Sequence, residues 1–179
     1  MKVKDIIRIF LPLMLICAII AGIVAGIQVL TASKIAENDA AVAKKLEEQK
    51  LASIAEIYGD GKVFTLDESI PETVDEIRRA ESGEVCVTLT CDGYQKKSIQ
   101  LFVAFDADGK VLRVQVLSSK ETTGIGTKVN DPTYLSQFDG KVGTVAIGEN
   151  GIDKIAGATL SSKAVVNGIN TAYAAGFGD

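Results

Sequence analysis

The chain has 179 residues, of which 47% are apolar, 23% charged and 6% aromatic, so a single domain with a real core is expected and a disordered tail is excluded. It contains no histidine, which excludes imidazole general-base catalysis, a Ser-His-Asp triad and histidine-ligated metal or haem sites. The net charge is −4 and no cluster of lysine and arginine stands out, so nucleic acid is not an expected partner, and no metal site or catalytic residue is predicted.

The first predicted element is a membrane helix. Residues Ile9–Ile27 contain no polar side chain, and no charge occurs between Arg8 and Lys34. At about 1.5 Å per residue this run matches the ~30 Å hydrocarbon core of a bilayer, so we assign residues 9–30 to a transmembrane helix. A cleaved signal peptide is the alternative, although its apolar region is usually ~7–15 residues long and no small-x-small cleavage site follows here.

Basic residues predict the orientation of this helix. Lys2, Lys4 and Arg8 crowd the N-terminus, whereas only Lys34 follows the apolar run closely. By the positive-inside rule, residues 1–8 are cytoplasmic and the rest of the chain lies on the extracytoplasmic side of the cell (inner) membrane, held by a single-pass anchor.

A helical stalk is predicted next, over residues 31–58. Helix-forming residues dominate Ser33–Ile57, which contains neither glycine nor proline, and the helix should end at the sequence Gly59-Asp60-Gly61. Pro71 and the acidic run Glu72–Glu81 then suggest a loop and a short helix. Residues 59–179 form the exported domain in this scheme.

The exported domain is predicted to be α+β, with a small, mostly antiparallel sheet and helices packed against it. Its strand signals are alternating or β-branched runs, and the turn at Asp106–Gly109 predicts that the second and third strands form a hairpin. The expected strands are Val85–Thr90, Ile99–Phe105, Val111–Leu117, Val142–Ile147 and a short one near Ile152–Ile155. A terminal helix is expected over Ser162–Ala175, with Val165, Ile169 and Ala172 on one face.

The cysteines indicate no site. Cys17 lies in the apolar run. The odd separation of Cys86 and Cys91 along one predicted strand directs their side chains to opposite faces, so a disulfide between them is not expected.

Two glycine-rich, polar segments are candidates for a binding site. The first is residues 120–128, where Gly124 and Gly126 would let the backbone approach a flat or anionic ligand because no Cβ intervenes. A plain turn between a strand and a helix is the alternative for this segment.

The second segment, residues 151–162, surrounds the hydroxyl of Thr159 with small residues just before the terminal helix. A helix N-terminus offers unpaired N–H groups and a positive dipole potential, which stabilise a phosphate. The alternative is that Thr159, Ser161 and Ser162 only cap the helix. No neighbouring base is visible that would activate Thr159 as a catalytic nucleophile.

Together the two segments resemble a known family, the G subunit of the Rnf (Rsx) ion-translocating electron-transport complex, and the related C subunit of the sodium-translocating NADH:quinone reductase. The family's flavinylation motif is matched by Asp153, Gly157, Ala158 and Thr159, with Ala156 in place of the usual serine or threonine. Its Glu-Thr-Pro-Gly-Leu-Gly signature is matched by Glu121, Thr122, Gly124 and Gly126, with Thr123 for proline and Ile125 for leucine.

The resemblance implies an FMN-binding domain with FMN joined through its phosphate to Thr159. It implies that the flavin ring lies against the Glu121–Gly126 loop, including Ile125. Gly157, Ala158 and Ser161 would complete the site, and Lys163 would partly neutralise the phosphate.

The resemblance also implies a function and partners. The chain would be the electron-carrying subunit of a redox-driven translocase of Na⁺ or H⁺ that links ferredoxin and NAD, with no complete reaction of its own. Its partners would be the other membrane subunits and a flavin transferase that uses FAD and Mg²⁺. Two alternatives stay open: a membrane-tethered binding or sensory module that holds FMN reversibly outside a translocase, and a purely structural exported domain.

Overall fold

The computed structural model describes residues 3–148 and 151–178, and their side chains from Phe10 onward. The chain divides into two compact units, Met1–Glu47 and Glu48–Asp179. Two residues used in the predictions lie outside the described residues. Lys2 contributes to the predicted orientation, and Asp179 is the last residue of the predicted domain.

One continuous helix, α1 (Val3–Tyr58), covers both the predicted transmembrane segment and the predicted stalk, and it ends just before Gly59 as expected. Every side chain from Phe10 to Leu30 is exposed. By length and composition it is the one helix in the described part of the chain that could cross a membrane. The helical conformation is therefore confirmed, while the boundaries between anchor, stalk and domain stay predictions.

The second unit is built on a five-stranded antiparallel sheet in which the strands follow one another in chain order. The strands are β1 (Phe64–Leu66), β2 (Glu76–Ala80), β3 (Val85–Cys91), β4 (Ile99–Phe105) and β5 (Val111–Ser119). Two helices follow, α2 (Pro132–Leu135) and α3 (Thr159–Phe177), with 3₁₀ turns at Gly126–Asn130 and Ser136–Phe138. The predicted α+β class and the β4–β5 hairpin are confirmed.

Strand β4, between β3 and β5, is buried on both faces because most of its residues on each face are apolar. In β4 the odd-numbered residues join the core under α3, whereas Phe102 and Ala104 join a smaller core with Ile54 at the end of α1. Strand alternation explains this division. The predicted apolar face of α3, formed by Val165, Ile169 and Ala172, lies in the larger core as expected.

The short helix predicted within Glu72–Glu81 is wrong, because residues 76–80 form strand β2. Its charged residues resemble the exposed surface of a helix. In the structure Glu76 forms ion pairs with Lys50 of α1 and with Arg78 of the same strand. Ile77 is buried on the opposite face. The backbone of this charged segment pairs with β1 and β3, which makes it a strand, and the ion pairs neutralise its charged face.

The strands predicted at Val142–Ile147 and Ile152–Ile155 are also wrong. The structure has only single bridges there, between Lys110 and Val142 and between Ile147 and Ile152. The backbone of Val145 is instead paired with a side chain of α3, since Asn170 accepts from the Val145 N–H at 2.8 Å and donates to its carbonyl at 2.9 Å. A side-chain amide thus replaces the neighbouring strand.

Candidate functional site

The two glycine-rich segments, which are about 30 residues apart in the sequence, line the same cleft of about 410 Å³. This volume lies within the ~300–1,000 Å³ range of small-molecule sites. The cleft lies where the loop after β5 meets the start of α3. Its lining residues are Tyr94, Glu121, Thr122, Ile125, Gly126, Gly157, Ala158, Leu160 and Ser161.

The Glu121 carboxylate connects the segments that form the cleft. It is only 6% exposed. One oxygen accepts from the Ser98 hydroxyl at 2.5 Å and from the Tyr94 and Gln95 N–H groups at 3.0 and 3.5 Å; the other accepts from the Ser161 hydroxyl at 2.5 Å. These four bonds join the β3–β4 loop, the β5 loop and the first turn of α3, so Glu121 is a brace between segments.

The hydrogen bonds also keep Glu121 ionised. Burial alone raises the pKa of this carboxyl, but the bonds from Ser161, Ser98 and the two backbone N–H groups outweigh it, so the pKa lies below its usual value. A negative charge is therefore held beneath the cleft at neutral pH, with its oxygens already occupied by donors of the protein.

Gly126 is required by the brace. A Cβ at this position would lie 2.5 Å from Glu121 Oε2 and 2.7 Å from Glu121 Cβ, which is too close for any side chain. A Cβ at Gly93 would likewise collide with Glu121 Oε1. From the sequence, Gly126 is expected to bring the backbone close to a ligand. The structure adds a second reason for glycine at this position, the buried Glu121 carboxylate.

Helix α3 begins three residues earlier than predicted, at Thr159. The residue before it, Ala158, caps the helix without a side-chain hydrogen bond. Ser161 and Ser162 are not caps, which corrects the alternative interpretation of the segment: Ser161 donates to Glu121, and the Ser162 hydroxyl accepts from the Ile155 N–H at 3.1 Å. Both serines are buried.

Thr159 is the exposed hydroxyl of this first turn. Within residues 3–148 and 151–178 its hydroxyl makes no hydrogen bond. The N–H groups of the first turn have no intrahelical acceptor, and their dipoles favour an anion at this end. Gly157 has φ = 80°, a left-handed value that suits glycine, and so the turn into the helix depends on it.

The structure brings most of the predicted site residues to one place. Glu121, Thr122, Ile125, Gly126, Gly157, Ala158 and Ser161 line the cleft. Thr159 lies between two lining residues, Ala158 and Leu160. Gly124 belongs to the same loop without lining the cleft, and exposed Lys163 is one helical turn beyond Thr159 on the same side of α3.

Two lining residues, Tyr94 and Leu160, are absent from the sequence-based prediction. Both are large, apolar and exposed at positions where a polar residue would be expected: a loop after Asp92-Gly93, and the solvent side of a helix start. That mismatch is the one signal in the sequence that could have identified them.

The cysteines lie outside the cleft. Cys86 and Cys91 are free thiols and pack on opposite faces of the sheet, as predicted from their spacing. Burial raises the pKa of each thiol to about 12. In the described residues, histidine, cysteine, aspartate and glutamate form no group able to hold a metal ion.

Comparison with known proteins assigns a family to the part of the chain that forms the cleft. The model of the FMN-binding domain family matches residues 93–174, a range that includes both segments lining the cleft. Structure and match together define the class: the chain contains an FMN-binding domain, which follows a helix long and apolar enough to cross a membrane.

The sequence relatives are more specific. The chain is 35% identical over 81 residues to the G subunit of the Na(+)-translocating ferredoxin:NAD(+) oxidoreductase complex of Acetobacterium woodii, covering 40% of this chain and 39% of that protein. It is 31% identical over 121 residues to the G subunit of the ion-translocating oxidoreductase complex of Pseudomonas aeruginosa, covering 62% and 56%. In these two alignments the chain spans about half the length of the relatives.

A third relative is matched over most of its length. The G subunit of the ion-translocating oxidoreductase complex of Photorhabdus laumondii is 30% identical over 180 residues, which covers 89% of this chain and 84% of that protein. The chain belongs to this family, the G subunits of ion-translocating oxidoreductase complexes. Among solved structures, Shewanella oneidensis NqrC is similar with a TM-score of 0.43 and 22% identity, covering 63% of this chain and 64% of that one.

Proposed function

We propose that this protein carries one FMN esterified to Thr159 and relays electrons within a membrane complex that couples redox chemistry to the movement of Na⁺ or H⁺. The observation that carries the proposal is the position of Thr159. Its exposed hydroxyl lies at a helix N-terminus that has no side-chain cap, and the residues on either side of it line a cleft of about 410 Å³.

The residues present fit a phosphate-linked flavin. The phosphodiester keeps one negative charge, which the first-turn N–H groups and the nearby Lys163 stabilise. Thr122, Ile125 and Gly126 supply backbone and an apolar side chain beside the cleft, while Glu121 and Ser161 position them from behind. Bound FMN supplies the capacity to accept and pass on electrons; the protein contributes placement and tuning.

Attachment is a phosphoryl transfer performed by a separate flavin transferase. The Thr159 oxygen forms a bond to the FMN phosphorus of FAD, the pyrophosphate bond of FAD breaks, AMP leaves with the electron pair, and the hydroxyl proton passes to a base of the transferase. The transferase would supply the Mg²⁺ that stabilises the charge on the phosphates. This explains why the first turn of α3 needs no base of its own.

The rest of the proposal is supported by the names of the relatives. Two of them are named as subunits of ferredoxin:NAD(+) oxidoreductase complexes, one Na(+)-translocating and one proton-translocating. We propose the same type of complex here, with the other membrane subunits as partners and with the flavin domain on the extracytoplasmic side of the membrane. The chain performs no complete reaction alone, because ferredoxin and NAD bind to other subunits in this proposal.

Intact mass tests the attachment. Full-length protein co-produced with a flavin transferase is expected to gain the mass of one FMN less one water, to keep the gain in Thr159→Ser and to lose it in Thr159→Ala. Thr123→Ala removes a nearby exposed threonine hydroxyl in the other segment and is the matched control; it should retain the full gain. An unmodified wild-type protein would refute covalent attachment, and flavin released by denaturant would favour reversible binding instead.

A further inference from the structure

Three large apolar side chains of the cleft are exposed to solvent. Tyr94 is 70% exposed, Leu160 55% and Ile125 53%, and all three line the cleft beside Thr159. Single exposed apolar residues are common on protein surfaces, but several that line one concave site are typical of a place that a ligand covers.

Hydrogen bonds to buried side chains fix the backbone of Tyr94 and of the residue before it. Its N–H donates to Glu121 Oε1 at 3.0 Å, and the preceding Gly93 N–H donates to the Ser98 hydroxyl at 3.1 Å. The same hydroxyl lies 2.8 Å from the Gln95 carbonyl oxygen. The Tyr94 side chain is thus exposed while its main chain is bonded to the brace that also holds the first turn of α3.

This combination suits a flat aromatic ligand. A phenol ring carried on a fixed backbone presents a large, rigid surface at a small cost in conformational entropy, because only two side-chain torsions must be ordered. Aromatic rings stack favourably in offset geometry, and aliphatic side chains such as Ile125 and Leu160 pack against the remaining apolar surface. A purely polar ligand would gain nothing from Ile125 and Leu160 and could use only the hydroxyl of Tyr94.

We propose that Tyr94 is the aromatic contact of the flavin in this protein: its ring stacks on the isoalloxazine, and Ile125 and Leu160 complete an apolar slot around it. This inference rests on the proposed function, since it needs a flavin in the cleft. It assigns to the β3–β4 loop a role in holding the cofactor that neither glycine-rich segment provides.

Fluorescence of the loaded protein tests the contact. An electron-rich phenol stacked on an excited flavin quenches its emission by electron transfer, whereas a phenyl ring stacks without donating an electron readily. Flavinylated wild type should therefore emit several-fold less than free FMN at equal absorbance, and Tyr94→Trp should remain quenched. Tyr94→Ala and Tyr94→Phe should both recover emission. The matched control is Val63→Ala, because Val63 is an exposed apolar residue outside the cleft lining; it should leave emission unchanged.

Reversible binding separates stacking from quenching. Full-length protein made without the transferase is titrated with FMN: Tyr94→Ala should weaken binding roughly 2- to 10-fold, the equivalent of one aromatic pair, while Tyr94→Phe should bind within about twofold of wild type. Unchanged emission and affinity in Tyr94→Ala would overturn the role of Tyr94 and leave the flavin assignment intact. A wild type that binds no FMN, covalently or reversibly, would overturn both.

Discussion

At the scale of single residues, Glu121 joins three segments of the chain that are distant in sequence. Its two carboxylate oxygens accept from Ser98, Ser161 and the backbone of the β3–β4 loop. A group in this position holds its neighbours in place and does not itself need to touch a ligand. The requirement it imposes is local: Gly93 and Gly126 must leave room for it.

Replacement of Glu121 by glutamine should lower the free energy of unfolding by about 1.5–3 kcal/mol at neutral pH, because hydrogen bonds to a charged acceptor are lost. The pKa of Glu121 is lowered in the folded protein, so its contribution is complete above the unfolded value of about 4.3 and disappears as pH falls through the folded value.

Urea unfolding of the full-length protein in detergent between neutral and acidic pH measures this difference. The gap between wild type and Glu121→Gln should narrow as pH falls. Glu81→Gln, which alters an exposed carboxylate in the β2–β3 turn, is the control and should show little change at any pH. A gap that is constant with pH would contradict the role of the charge.

The thiols of buried Cys86 and half-buried Cys91 lead to a second prediction at this scale. Because burial raises the pKa of Cys86 and Cys91 to about 12, almost no thiolate is present near neutral pH, and the thiolate is the reactive form. In a Cys17→Ser background, a maleimide should leave the native protein unmodified and should modify both cysteines after denaturation. Mass spectrometry reads out both states; rapid modification of native protein would be inconsistent with this packing.

At the scale of elements, the close contact between α3 and the sheet positions the first turn of that helix. Gly168 is a point of close approach: a Cβ there would lie 2.7 Å from Leu101 Cδ1 and 3.1 Å from Cys91 Sγ. Leu101 is fully buried, so it has little room to move away. The sheet and the helix start are thus one rigid support for the cleft.

Gly168→Ala should therefore destabilise the domain although alanine favours helices. Alanine gains up to about 1 kcal/mol in helix propensity, whereas crowding in a packed core costs about 1–3 kcal/mol. Asn167→Ala changes the exposed neighbouring residue and brings the propensity gain alone, so it should be neutral or stabilising. Chemical unfolding compares the two; a Gly168→Ala protein more stable than wild type would show that the contact is loose.

At the scale of the whole molecule, the chain combines a helix able to cross a membrane with a separate folded unit. The positive-inside rule predicts that this unit lies outside the cytoplasm, because Lys2, Lys4 and Arg8 precede the apolar run. An alkaline phosphatase fused to the C-terminus should be active in cells and a fluorescent protein fused there dark.

Removal of the basic residues should weaken this orientation. A variant with Lys2, Lys4 and Arg8 changed to glutamine should lose part of the phosphatase activity per fusion molecule, and a phosphatase fused directly after residue 8 is the inactive control. Full fluorescence of the C-terminal fusion would place the flavin domain in the cytoplasm and reverse the predicted topology.

Sequence patterns predicted elements that depend on residues near one another. Strand β4 has the predicted bounds, and β3 and β5 are one and two residues longer than predicted at their C-terminal ends. Elements were missed where distant partners decide the conformation. Strand β2 exists because its backbone pairs with β1 and β3, and the segment around Val145 is irregular because Asn170 satisfies its backbone.

The site shows the same division. By itself the sequence determined which two segments form the site. The glycines, the threonine among small residues and the spacing between them are local features that can be read without knowing the fold. Only the tertiary structure decided that α3 starts at Thr159, that Ser161 binds Glu121 and does not cap the helix, and that Tyr94 joins the cleft. Each of these depends on contacts between segments far apart in the chain, and such contacts exist only once the sheet and α3 have packed together.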